Sequence, residues 1–219
     1  MCGRFVITDP NEAIAALFDA VPGNDLPDVP RFNVCPTQPV AVVTSDGGAR
    51  RLRAMRWGFV PAWYKSPTDG PLLINARAET VAEKPAFRAA CRERRCLIPA
   101  TGFYEWTEGT GGARLPWYIT PAAGGVMAFA GVWQVWERDG IRLDTCAIVS
   151  CAAGPQMAAI HHREPVTVAR DDWALWLGEA GKGAAPLMKA QPDRAFAMHR
   201  VDPKVNSNRA TGAELIVAV

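Results

Sequence analysis

Strand-forming runs dominate this chain and do not alternate with helices, and that ordering constrains the fold most. Runs rich in Val, Ile, Phe, Trp and Tyr cover 40–44, 51–60, 95–105, 116–120, 126–136, 143–151 and 194–201. The pattern predicts an α+β chain, a single domain over 1–219 with a curved, largely antiparallel, barrel-like sheet and a few flanking helices. Gly-rich segments at 109–112 and 124–125 read as hairpin connections, and the Pro-rich stretch 22–39 reads as an extended loop. One helix is expected after Asp9-Pro10-Asn11-Glu12, with Asp9 as N-cap and Glu12 closing a capping box. Its apolar stripe is Ile14, Leu17 and Phe18. Further helices are expected from Pro85 to about Glu93 and from Asp171 to Leu177, the last stopped by Gly178.

The 49% hydrophobic content supports a sizeable core. Lys plus Arg number 24 against 22 for Asp plus Glu, a net +2, which excludes affinity resting on bulk positive charge but leaves room for a local basic groove. No apolar run approaches the roughly 18 residues of a membrane span, and Met1-Cys2-Gly3-Arg4-Phe5 lacks the apolar core of a secretory signal. A cytoplasmic protein without membrane attachment is expected. In a reducing compartment the cysteines at 2, 35, 91, 96, 146 and 151 are thiols, mostly small buried hydrophobes. The pairs Cys91/Cys96 and Cys146/Cys151 have four residues between them and no nearby His, so neither a metal nor another cofactor is expected.

Four segments carry residues suited to chemistry. Cys2, once Met1 is removed, presents an α-amine and a thiol together. With reference values of about 7.7–8.0 and 8.5, roughly a tenth or more of the amine is free base at neutral pH. Such a pair traps aldehydes: the amine forms an imine and the thiol closes on its carbon as a thiazolidine. Glu105, between Tyr104 and Trp106, is either a desolvated carboxylate fit for proton transfer or an exposed strand-end residue. Asn75, after the apolar run Leu72-Leu73-Ile74, either stabilises developing charge or caps a turn. His161 and His162 are adjacent and point apart in most local structures, so one of them works, or both are solvated.

Together these segments resemble the SRAP family, the SOS response-associated peptidases or abasic-site processing proteins. The family's opening is Met1-Cys2-Gly3-Arg4-Phe5, and its R-[YF]-N-x-x-P-T-Q segment is Arg31-Phe32-Asn33-Val34-Cys35-Pro36-Thr37-Gln38. Arg56-Trp57-Gly58-Phe59-Val60-Pro61-Ala62-Trp63, Asn75-Ala76-Arg77-Ala78-Glu79-Thr80, Arg95-Cys96-Leu97-Ile98-Pro99 and Gly102-Phe103-Tyr104-Glu105-Trp106 follow in family order. Asn206-Ser207-Asn208 and Gly212-Ala213-Glu214-Leu215 come near the end. Glu164 in His161-His162-Arg163-Glu164-Pro165 stands where the family usually has Met, a change expected on the DNA-facing wall; Cys35, where Ala is common, is expected to pack.

The resemblance implies a protein that binds single-stranded DNA containing abasic sites and crosslinks to it through Cys2, acting as a monomer and nucleoid-associated when on DNA. It implies Cys2 as nucleophile, Glu105 as proton shuttle, His161 on the sugar ring oxygen and Asn75 as the group holding Cys2 and the sugar in attack geometry. Arg4, Arg77 and Arg163, with Asn33, would hold phosphates and the strand, and Trp63 would stack a base. Trp57 is either a second stacking surface or core. The family's activities imply autopeptidase and lyase chemistry besides. Two other readings remain: an N-terminal-nucleophile amidotransferase, for which no motif follows residue 5, and a noncatalytic single-strand-binding module.

Overall fold

The computed structural model describes residues 2–219, so the expected removal of Met1 lies outside the described residues. The chain opens with β1 (Phe5–Ile7), α1 (Asn11–Leu17), β2 (Ala20–Pro22), β3 (Arg31–Val34), β4 (Pro39–Asp46), β5 (Ala49–Trp57) and β6 (Asn75–Arg77). There follow α2 (Arg88–Glu93), β7 (Arg95–Ala100), β8 (Gly102–Glu108), β9 (Arg114–Pro121), β10 (Met127–Arg138) and β11 (Ile141–Ala152). The last elements are α3 (Pro155–Ala158), β12 (Arg163–Pro165), α4 (Trp173–Leu177) and β13 (Phe196–Arg200).

β11, β10, β7, β4 and β5 pair in that order, and a short parallel contact of β5 with β11 closes them into a barrel. A second sheet runs β13-β9-β8-β1-β3. One apolar cluster unites them: Phe129 of the barrel meets Phe5 and Phe103 of the second sheet edge-on, at centroid distances of 6.1 and 5.9 Å. The α+β reading therefore holds, with one barrel-like core and short helices outside it.

Several local expectations are corrected. The run 95–105 is two strands in different sheets, divided at Thr101, whose Oγ1 accepts from Thr8 N–H at 2.9 Å and donates to Asp9 Oδ2 at 3.0 Å. Asp9 is thereby spent on the bend; Pro10 occupies the N-cap position of α1, without a side-chain cap. The strand expected to reach 60 stops at Trp57, because Gly58 turns the chain at φ 143° with Arg56 Nη1 2.7 Å from where a Cβ would sit. The stretch 22–39 is not all loop: Arg31–Val34 pairs antiparallel with β1. The 109–112 segment does connect a hairpin, β8 to β9, but 124–125 carries the chain from one sheet to the other. The helix expected from Pro85 begins at Arg88, after successive turns that include a Phe87 N–H bond to Lys84 O at 3.0 Å. α4 does end on Gly178, in the left-handed region at φ 87°. No helix among the described residues is long and apolar enough to cross a membrane.

Candidate active site

The pairing of β1 with β8 sets Phe5 opposite Phe103, and Tyr104 N–H bonds Arg4 O at 3.0 Å. Continuing that antiparallel register brings Glu105 beside the Cys2–Gly3 end. Cys2 is wholly buried, its thiol 3.9 Å from Arg4 O. Burial, and then the Glu105 charge, push that thiol well above its ordinary range, so it stays protonated at neutral pH.

Asn75 reaches the same point from β6, which lies parallel to β11 with Asn75 opposite Ile148. The strand is fixed one residue earlier, where Ile74 O accepts from the Trp57 indole and from Ile148 N–H, each at 3.0 Å. Asn75 Nδ2 donates to Cys2 O at 2.9 Å. Its Oδ1 is buried and has no hydrogen-bond partner among the described residues. Asn75 is thus no turn cap, and one acceptor is left over beside Cys2.

Glu105, 3% exposed, is not a solvated strand-end residue. With His161, Gly3, Arg4 and Pro36 it lines an open groove of about 540 Å³ that runs on past Trp106, Arg114 and Asn206. His161 ends the turn that follows α3, its N–H bonded to Met157 O at 2.9 Å. Its Nδ1 faces Arg163 main chain on both sides, the N–H at 2.9 Å and the carbonyl at 3.1 Å. The neutral ring accepts from the first and the protonated ring donates to the second. Burial holds His161 below its ordinary value of 6.5, against the opposing pull of Glu105. The two histidines do not point apart; their rings stack at 4.3 Å, and only His161 lines the groove.

The predicted strand-holding residues divide. Arg77 is exposed two residues beyond Asn75, and Trp63 is 58% exposed with its ring edge against Tyr64. Trp57 is core, packed edge-on to Phe5 at 5.1 Å. Arg4 donates to Asn33 Oδ1 and Val205 O, both at 2.9 Å, while Asn33 Nδ2 bonds Ser207 O and Ala210 O at 3.0 and 2.9 Å. This pair clamps the 205–210 loop as the groove wall. Arg163 is 8% exposed and turned inward, with Glu79 Oε1 and Oε2 at 2.7 and 3.0 Å and Ser150 beneath. Cys35 packs at Asn33, its thiol 3.4 Å from Asn33 O, as expected for a small buried hydrophobe.

Sequence reasoning missed two contributors. Trp106 donates to Asn206 Oδ1 at 2.6 Å and carries the Arg114 guanidinium 4.7 Å from its ring centre, which shapes the far arm of the groove. Glu79 fixes Arg163; both lie in quoted motifs, but nothing in their spacing pairs residues 84 apart. Arg163 holds the Glu79 carboxyl below its ordinary 4.5. A depressed carboxyl stabilises above its unfolded value and loses that contribution as pH falls through the folded one. Glu79→Gln should therefore lower the urea midpoint at neutral pH and cost nothing in acid below the folded value. The expected loss is under about 1 kcal/mol, since Glu79 is half exposed and solvent screens the pair. Equal losses at both pH values would deny the pair its ionic character.

The family model for SOS response associated peptidase (SRAP) matches residues 1–208. The abasic site processing protein YoaM of Bacillus subtilis is 36% identical over 228 residues, covering 100% of this chain and 98% of that protein. The abasic site processing protein YedK of Escherichia coli is 30% identical, with both chains fully covered. A crystal structure of a Bacteroides thetaiotaomicron protein, 22% identical, superposes over the whole of both chains with a TM-score of 0.87, which shows the shared fold. With a family model spanning nearly all of the sequence and relatives matched end to end, this chain belongs to the SOS response associated peptidase family.

Proposed function

We propose that this protein processes abasic sites, and does so by capturing the lesion in single-stranded DNA as a thiazolidine on Cys2. The observation that carries the proposal is the Asn75 bond to Cys2 O, which holds Cys2 in place next to Gly3, a residue lining the groove shared by Glu105 and His161. His161, neutral at working pH, offers Nε2 to the sugar ring oxygen and favours the open-chain aldehyde. The Cys2 α-amine, freed of Met1, adds to the C1′ aldehyde; the carbinolamine loses water, with Glu105 delivering the proton, and leaves an imine. The thiol then adds to the imine carbon as its proton passes to nitrogen through Glu105, which closes the ring. Because the buried thiol is held protonated, the amine acts first and the thiol second. The unpartnered Asn75 Oδ1 is an acceptor for the ring N–H. β-Elimination through the imine and self-removal of Met1 are further activities that this chemistry admits.

The test is incubation with uracil-excised single-stranded DNA followed by denaturing electrophoresis. A band that survives boiling in detergent is expected; retention under native conditions alone would leave a noncatalytic binding module. Arg77, exposed beside the site, is the proposed phosphate ligand. Arg77→Ala should lower affinity for any single strand and reduce the slope of log affinity against log salt by about 0.7. An untouched slope with lost chemistry would make Arg77 a structural or catalytic residue instead.

A further inference from the structure

Glu164 does not face the groove. It is 1% exposed, on the inner side of β12, where β12 pairs with the end of β11. Its Oε2 accepts from Gly154 N–H at 2.9 Å, and its Oε1 accepts from Gln191 N–H at 2.7 Å. Gly154 is the N-cap of α3, and His161 hangs from the carbonyl of Met157 within that helix. The turn has a second tether, Gln156, which bonds Phe196 O at 2.6 Å and Phe196 N–H at 3.2 Å. A Cβ on Gly154 would lie 2.9 Å from Gln191 O, so the two backbones approach closely and the carboxylate spans them. Among the described residues, neither amide has an acceptor other than Glu164.

We propose that Glu164 is a positioning residue for His161: its carboxylate pins the start of the α3 turn to the 189–196 segment and so fixes the imidazole at the groove. This rests on the proposed role of His161 in opening the sugar. A methionine matches the volume but accepts from neither amide, and the freed N–H groups then draw the turn toward water. Displacement of a reacting group by about 1 Å costs up to 10²-fold in rate. Among the described residues, the groups that act on His161 include Glu105 on β8, the stacked His162 and the main chain of Arg163. Glu164 is not among its electrostatic neighbours, so the effect passes through geometry.

The test measures crosslinking rates for Glu164→Met, Glu164→Gln and His161→Ala and for the His161→Ala/Glu164→Met double variant. It is paired with NMR titration of the His161 ring. Glu164→Met is expected to slow crosslinking about tenfold or more with single-strand affinity within about twofold. Glu164→Gln, which keeps one acceptor, should fall between it and the unaltered chain. The His161 midpoint should rise toward 6.5 in Glu164→Met as the ring loosens into water, and the pH profile of the rate should move with it. Glu164→Met should add nothing once His161 is Ala. If His161→Ala slows the reaction while both Glu164 variants match the unaltered chain in rate and ring titration, Glu164 is not a positioning residue. If His161→Ala has no effect, the role of His161 fails first. Should Glu164→Met not fold, Glu164→Gln decides the question by the same two readouts.

Discussion

An uncleavable N-terminal extension is expected to abolish the stable crosslink while leaving single-strand affinity within about twofold. A nitrogen in an amide has no basic lone pair and forms no imine, so the extended chain keeps only the Cys2 thiol. A thiol and an aldehyde make a reversible hemithioacetal that does not outlast denaturation. Burial also holds this thiol protonated, which disfavours its direct addition to an aldehyde. The same extension at Val219, exposed at the other end of the chain, should be harmless. Cys2→Ser with a free terminus separates the two groups further: it should give an imine trapped by borohydride and nothing stable without it. A boiling-resistant adduct on the extended chain would place the nucleophile elsewhere.

Glu105→Gln is the second large effect, a fall of roughly 10²–10⁴ in crosslink formation, reversal or both. Burial leaves Glu105 shielded from bulk water, and Cys2 and His161 both feel its charge. The amide keeps size and hydrogen bonding but moves no proton. Losing the carboxylate also removes the group that raises His161, so His161 should titrate lower still in this variant. A small external acid should restore part of the rate. Rates within twofold of the unaltered chain in both directions would take Glu105 out of the mechanism.

The strands β10 and β11 were legible as runs rich in Val, Ile and Trp, but the tight turn that pairs them, Asp139-Gly140 at φ 51° and 77°, was not read from the sequence. What else was not legible was set by partners distant in sequence. β3 hides in a Pro-rich stretch because it pairs with β1 far back in the chain, Phe5 with Val34 and Ile7 with Arg31, and the division at Thr101 depends on Thr8 and Asp9. The parallel contacts of β11 with β5 and β6, which close the barrel and deliver Asn75, leave no period in the sequence. At the site, residue types suited to the proposed chemistry were legible and proximity was not. Cys2 announced an amine and thiol by residue type alone, whereas its contact with Asn75 came only from the family pattern. Arg163 looked like any basic residue beside a candidate histidine; its inward turn is decided by Glu79, 84 residues away. Glu164 reversed expectation for the same reason, since both its partners are main-chain amides no side-chain pattern marks.

The central claim is that Cys2 joins abasic DNA through both its nitrogen and its sulfur. Intact mass of the protein before and after reaction with an abasic single strand, followed by digestion and mapping of the linked peptide, tests it most directly. The account predicts one adduct per chain, with the mass of the lesion-bearing strand less one water. It should form only on protein that begins at Cys2, stay on the N-terminal peptide, and leave no Cys2 thiol to alkylate. A stable adduct on chains that still carry Met1, or one mapping to an internal peptide, would contradict it.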